Sequence, residues 1–138
     1  MGFRPGRVRV VEEESEHRLG EMEFEMVLNA GGSWAVVSAK TTELLAHEQG
    51  HFDIVGLCYR DLVAEARTLR GSSRNRLLLS MRQAMREHDQ RAESLTREYE
   101  TQTEHGRNQA NQQAWQRQIA ACRQSGMHLT APPLSTAE

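Results

Sequence analysis

Apolar and polar residues alternate in two segments near the start of the chain, 7–13 and 21–30. This alternation is typical of half-buried strands. The apolar face of the second segment consists of Met22, Phe24, Met26 and Leu28. Residues 29–32, Asn-Ala-Gly-Gly, tolerate positive φ, and 33–39 are rich in β-branched and aromatic residues. We therefore predict a strand at 7–13 and a hairpin that pairs 21–28 with 33–39.

Helical spacing of apolar residues dominates the rest of the chain. The predicted helices are 43–69, 74–104 and 109–124, with Gly106 and Gly126 as stop signals after the last two. The fold class is therefore α+β, mostly helical with a small antiparallel sheet. We expect one domain over 1–126 and a frayed polar tail over 127–138.

Composition restricts the classes of partner. The 138 residues are 38% hydrophobic and 26% charged with a net charge of -2, which is typical of soluble globular proteins and not of basic nucleic-acid binders. No signal peptide is visible, and no segment approaches the length of a transmembrane helix. We expect no nucleic-acid partner and no membrane insertion.

The two cysteines, Cys58 and Cys122, are too few for a disulfide scaffold and do not form a CxxC metal motif. We predict two small buried side chains, with a single disulfide between them as the alternative.

Residues 47–51 read His-Glu-Gln-Gly-His inside the first predicted helix. His47 and His51 are one helical turn apart, so both imidazoles can reach one zinc ion. Glu48 points about a quarter turn away, where a carboxylate can take a proton from a metal-activated water. This spacing is the metalloprotease signature. The plain alternative is a helix that carries two structural histidines.

A catalytic zinc site takes three protein ligands and keeps one open position, so a third ligand must come from later in the chain. The candidates near the end of the second predicted helix are Glu98, Glu100, Glu104 and His105. His88 is a further candidate, although its place on the apolar stripe favours a hydrogen-bonded core histidine.

Three blocks in order, "HEQGHFDI", "YETQTEHG" and "NQQAW", resemble the predicted secreted zinc-dependent proteases of bacteria, a family of unknown function in the zincin-like group. The resemblance covers roughly 24–120. The family's second block reads Tyr-Asp-x-x-Thr-x-His-Gly, and this chain matches at four positions, Tyr99, Thr103, His105 and Gly106. It has Glu100 where the family has aspartate.

The resemblance implies a zincin-like, gluzincin-like fold in which a later helix supplies the third ligand. We expect His105 in that role, with Glu100 as the alternative third ligand. If His105 binds zinc, Glu100 is left to orient an imidazole or hold water.

The function expected is hydrolysis of peptide bonds by a Zn²⁺-dependent metallopeptidase, with Glu48 as general base and a peptide or protein as substrate. The alternatives are a zinc-binding structural or interaction module without turnover and a zinc amidase acting on a non-protein substrate. A secreted or periplasmic location follows from the resemblance alone. The short segment before the motif leaves a homodimer open.

Four other side chains have two interpretations each. Asp53 is either an acceptor for a ligand histidine or an exposed helical carboxylate. Tyr99 either stabilises an oxyanion or, as we favour, packs through its ring. Trp34 and Trp115 are expected in the core or in a groove wall.

Overall fold

Two long strands begin the part of the chain that the structure, a computed structural model, describes, namely residues 2–27 and 42–134. The strands β1 (Gly2–Glu13) and β2 (Glu16–Val27) pair in antiparallel fashion. Glu14 and Ser15 join them with φ of 50 and 68, and positive φ at both central residues suits a tight hairpin turn. A two-residue strand, β3 (Arg70–Gly71), pairs with β2 and completes the sheet order β1-β2-β3.

Both early strands were predicted from the alternation, but the pattern did not indicate that they pair with each other. β2 pairs with β1, through a turn that has neither glycine nor asparagine to mark it. The predicted partner strand 33–39 and the turn 29–32 lie outside the described residues. Phe24 is buried and Met22 packs against the same core, as the alternation indicated.

Three helices follow within the described residues: α1 (Thr42–Ala66), α2 (Arg74–Gln102) and α3 (Gln109–Ser125). Glu43 lies in the first turn of α1, where its charge favours the helix dipole. Asn108 caps the start of α3, and Gly126, at φ 76, ends it. The predicted α+β class is confirmed. Among these residues, no helix combines the length and apolar content needed to cross a bilayer.

Contacts divide the chain into two compact units. The first unit comprises Met1–Asn29 and Tyr59–Arg91. Here the hairpin packs on the last two turns of α1 and the first part of α2, and the Tyr59 hydroxyl donates to the carbonyl of Phe24 at 3.1 Å. The core of this unit consists of Leu19, Phe24, Leu62, Ala66, Leu77, Met81, Ala84 and Met85.

The second unit comprises Ala30–Cys58 and Ala92–Glu138. It includes the first part of α1, the end of α2, and α3. Its buried apolar side chains include Ile54, Val55, Cys58, Leu95, Tyr99, Trp115, Ile119, Cys122 and Leu129. Both cysteines are buried and no disulfide joins them, in agreement with the prediction of two small buried side chains. Leu129 belongs to the segment predicted as a frayed tail, yet its side chain is packed.

Candidate metal centre

Two histidines of α1 point to one side of the helix. His47 and His51 are separated by one turn, and their ring centroids lie 5.1 Å apart with the planes at 86°. His47 is only 2% exposed, whereas the His51 side chain is 19% exposed. The helical spacing read from the sequence therefore places both imidazoles at one site, with one ring buried and the other reached by solvent.

Glu100, near the end of α2, meets both rings. Its Oε1 lies 2.8 Å from Nε2 of His47 and also contacts Nε2 of His51. One ligand atom from each of these three residues lies within 4.8 Å of the other two. Among the described residues, His47, His51 and Glu100 form the one group of histidine, cysteine or acidic side chains that could hold a metal ion.

His105 contacts the same carboxylate from its other oxygen. Nδ1 of His105 pairs with Oε2 of Glu100, and the His105 side chain is 70% exposed. Glu104, His105 and Gly106 have φ of 51, 58 and 88, so three successive left-handed residues form the turn after α2. The structure thus brings the predicted alternative ligand, Glu100, onto the two histidines and places His105 against its outer oxygen.

Gln112 and Tyr99 contact His47 at atoms other than the Nε2 that meets Glu100. Nδ1 of His47 lies 2.9 Å from Oε1 of Gln112, and Nε2 of Gln112 donates to the Tyr99 hydroxyl at 2.8 Å. The Tyr99 hydroxyl donates in turn to the backbone carbonyl of His47 at 2.7 Å. The Tyr99 ring also stacks on the imidazole, with centroids 4.6 Å apart. The sequence pattern indicated no role for Gln112, although this residue lies in the block "NQQAW".

Two glycines allow these rings to approach the backbone. A Cβ at Gly50 would lie 2.6 Å from Cζ of Tyr99, which is an overlap. A Cβ at Gly106 would lie 3.0 Å from Cγ of His47, and φ of 88 there also disfavours any other residue. Glycine at these two positions therefore follows from the packing around His47 and Tyr99.

Hydrogen bonds decide the charge at this site. Burial by itself raises the Glu100 pKa, but the hydrogen bonds from three histidines outweigh it and hold the pKa far below its ordinary value of 4.5. Burial likewise lowers the pKa of His47, but hydrogen bonds to Glu100 and Gln112 leave it above its ordinary value of 6.5. Burial is the main cause that raises the Tyr99 pKa to about 12, so the phenol stays protonated and can donate.

Glu48 follows His47 directly on α1, and its side chain is partly exposed. Burial has the largest effect on both neighbouring pKa values: it lowers the pKa of His47 and raises that of Tyr99. The negative charge of Glu48 has a smaller effect and raises both pKa values. A solvent-reached carboxylate therefore lies within electrostatic range of the two rings.

The other candidates have structural partners. His88 is 8% exposed, with Nε2 2.5 Å from Oε2 of Glu65, so the prediction of a hydrogen-bonded core histidine is confirmed. Asp53 accepts from Gln49 at 2.9 Å and pairs with Arg123 at 2.9 Å. The packing interpretation of Tyr99 is confirmed by its complete burial.

The two tryptophans have different outcomes. Trp115 is fully buried, and its Nε1 donates to Oε1 of Gln102 at 2.8 Å. Trp34 lies outside the described residues.

Comparison of this chain with protein-family models, with curated proteins and with solved structures finds no match. The family resemblance therefore rests on the three sequence blocks, and the candidate metal centre rests on the geometry of His47, His51 and Glu100.

Proposed function

We propose that the chain is a zinc-dependent metallopeptidase of zincin-like fold, in which His47, His51 and Glu100 hold the metal and Glu48 is the general base. The observation that carries this proposal is the convergence of three ligand atoms, two from the motif on α1 and one from the end of α2, within 4.8 Å. A motif with a glutamate between two ligand histidines is what metal-assisted hydrolysis of amides uses.

The donor set fits zinc. Two imidazole nitrogens and one carboxylate oxygen are the protein ligands of the thermolysin type of catalytic site, which leaves one coordination position open. The Glu100 carboxylate is ionised because its pKa is strongly lowered, so it supplies negative charge at neutral pH. The exposed fraction of His51, 19% of its side chain, provides a route for ligands from solvent.

The geometry favours Glu100 over His105 as the third ligand. Oε1 of Glu100 meets Nε2 of both motif histidines, whereas His105 meets only Oε2 of the same carboxylate. In this arrangement His105 donates a hydrogen bond to the ligating carboxylate of Glu100 and orients it. Carboxylates that bind metals usually accept such a hydrogen bond from a neighbouring group. The replacement of the family's aspartate by the longer glutamate is compatible with this reach from α2.

Held by His47, His51 and Glu100, zinc would lower the pKa of a water toward neutrality and would polarise the substrate carbonyl. Glu48 would accept a proton from the water that attacks the carbonyl carbon. The same carboxyl would then deliver that proton to the nitrogen as the C–N bond breaks. The products are a carboxylic acid and an amine, with the Glu48 carboxylate restored.

Glu48→Gln tests the enzyme function. We expect hydrolysis of a fluorogenic peptide library to fall by about 10²–10⁴-fold, the usual contribution of a general base, with zinc content unchanged. Glu43→Gln is the matched control, since Glu43 is exposed in the first turn of the same helix. Wild-type protein that binds zinc but cleaves no peptide would contradict the peptidase proposal.

The same variant separates the alternatives. A structural zinc module has no use for the Glu48 carboxylate, so it would show neither hydrolysis nor any consequence of the substitution. A zinc amidase would lose activity with Glu48→Gln but would act on non-peptide amides and leave the peptide library intact. A secreted or periplasmic location, which rests on the resemblance, belongs to the proposal as well.

A further inference from the structure

Three hydrogen bonds form a closed ring around His47, and their direction can be worked out. The members are the His47 imidazole, the Gln112 amide, the Tyr99 hydroxyl and the backbone carbonyl of His47. Every side chain in the ring is at least 97% buried, with exposures of 2%, 3% and 0% for His47, Gln112 and Tyr99. Water therefore does not compete for these bonds.

The carbonyl oxygen of His47 sets the first direction because it can only accept. Tyr99 Oη lies 2.7 Å from this oxygen, a distance at which two oxygens repel each other unless a proton lies between them. The single proton of the hydroxyl must therefore point at the carbonyl.

The other two directions follow from the first. Having used its proton, the Tyr99 oxygen can only accept at its 2.8 Å contact with Gln112, so the amide NH₂ must face Tyr99. The amide oxygen of Gln112 then faces Nδ1 of His47 at 2.9 Å, and Nδ1 must carry a proton. The assignment of the amide and of the imidazole tautomer thus follows from an acceptor whose chemistry is not in doubt.

We propose that Gln112 and Tyr99 are positioning residues that hold His47 in the Nδ1–H tautomer and keep its Nε2 lone pair directed at the metal position. Nε2 is the atom that faces Glu100. Neither residue touches the metal or the substrate; both act through the His47 ring. The inference rests on the proposed metal site for its consequence. Without a metal, Nε2 donates its proton to Glu100; a metal at this position replaces that proton, and the proton that Gln112 holds at Nδ1 is the one that the ring keeps.

Zinc affinity is the first test, measured by competition with a chromophoric chelator. Loss of a partner that orients a ligand histidine costs about 10–100-fold in metal affinity. We expect a weakening in this range for Gln112→Leu, which leaves Nδ1–H without an acceptor. Tyr99→Phe should weaken binding less, because the ring stack remains while the Gln112 amide loses its direction.

Matched controls separate this role from general destabilisation. Gln113→Leu changes the exposed neighbour of Gln112. Tyr59→Phe removes a hydroxyl that donates to a carbonyl in the other unit. Both should bind zinc as the wild type does. Equal zinc affinity in Gln112→Leu, Tyr99→Phe and the wild type would overturn the proposal, as would equal losses in the controls.

The second test needs no metal. Two-bond ¹H–¹⁵N correlation spectra of the zinc-free wild type report which ring nitrogens of His47 hold a proton. We expect a proton on Nδ1, whether or not Nε2 donates one to Glu100. A proton on Nε2 with none on Nδ1 would overturn the proposed role of Gln112 even if zinc binds. Failure to bind zinc with the proton on Nδ1 would instead sink the proposed function and leave the ring intact.

Discussion

Two polar clusters, each with side chains from α1 and from α2 or the turn after it, combine histidine with carboxylate in different ways. The ion-pair cluster, in the first unit, consists of Arg60, Asp61, Glu65, His88 and Arg91. The histidine cluster, in the second unit, consists of His47, His51, Glu100 and His105. The ion-pair cluster gives each carboxylate separate partners, whereas the histidine cluster directs three imidazoles at one carboxylate.

Charge balance explains the ion-pair cluster without any ligand. Asp61 is 5% exposed and its two oxygens pair with Arg60 at 2.9 Å and Arg91 at 3.0 Å. Glu65 pairs with His88 at 2.5 Å. A buried carboxylate needs such partners to offset the loss of water. Among the described residues, the group that could hold a metal ion lies in the histidine cluster and not in this one.

The histidine cluster has more metal-binding atoms than its own pairing requires. Two Nε2 atoms meet one oxygen of Glu100; the buried His47 ring needs such a partner, whereas His51 reaches solvent and does not need the contact for burial. The candidate metal centre is therefore marked by the surplus of possible ligands around one anion, and not by burial or by the presence of histidine.

The largest effect on stability is expected in the ion-pair cluster. Asp61→Ala leaves two guanidinium groups without their shared carboxylate, and breaking a buried pair costs about 3–5 kcal/mol. Chemical denaturation with zinc-free protein measures the loss. The zinc affinity of the folded fraction should stay at the wild-type value; a parallel loss of zinc binding would show that the clusters do not have separate roles.

Zinc affinity should respond to the other cluster alone. His51→Ala removes a ligand, so its loss should exceed the upper end of the 10–100-fold range for partners that only orient ligands. His88→Ala removes a buried histidine of the ion-pair cluster and should leave zinc affinity unchanged. Isothermal titration of both variants checks this. Comparable weakening in the two would remove the distinction between the clusters.

Two glycines of α1 offer a smaller, matched test of packing at the histidine cluster. Gly50→Ala places a Cβ against the Tyr99 ring, and such overpacking costs about 1–3 kcal/mol. Gly56→Ala meets no atom within 4 Å and should stabilise the helix by about 0.5–1 kcal/mol. Thermal unfolding distinguishes the two signs. Equal effects would mean that Tyr99 does not pack against α1 as described.

The smallest effect concerns pH and the zinc-free protein. The lowered Glu100 pKa contributes stability above its ordinary value of 4.5, and that stability is lost as the pH falls below it. The raised His47 pKa contributes stability below its ordinary value of 6.5, and this is lost as the pH rises through the folded-state pKa. The cluster should therefore stabilise the zinc-free chain most between these two values.

Added zinc should reverse the alkaline side of this profile. Zinc binds imidazole only in its deprotonated form, so zinc-dependent stabilisation should grow as the pH rises above 6.5. Melting temperatures with chelator and with zinc, across this range, check the crossover. The zinc-free Glu100→Gln variant should not show the loss of stability that the wild type shows as the pH falls below 4.5. Zinc stabilisation that decreases with rising pH would contradict the ligand set.

Local patterns predicted most of the helical framework and half of the site. The helix starts and the pair of motif histidines follow from spacings of four residues or fewer, which the chain itself sets. The choice between Glu100 and His105 does not follow in this way. It depends on three left-handed residues, 104–106, that direct His105 to the outer oxygen of Glu100. No apolar periodicity reports on such a turn.

Gln112 shows a second limit. Gln112 lies among polar residues at the start of α3, so the sequence pattern predicts that it faces solvent. Its burial depends instead on Tyr99 of α2 and His47 of α1, which are distant in the sequence. The hairpin turn at Glu14 and Ser15 was missed for a related reason, since neither residue is the glycine or asparagine that usually adopts positive φ.

Zinc content per chain, by elemental analysis of protein purified without chelator, tests the central claim most directly. Wild type and Glu65→Gln should each hold about one zinc ion per chain. Glu100→Gln, which keeps the size of the side chain but removes its charge, should lose the metal. An absence of zinc in the wild type even after the metal is added, or its retention in Glu100→Gln with loss in His105→Ala, would contradict the proposed centre.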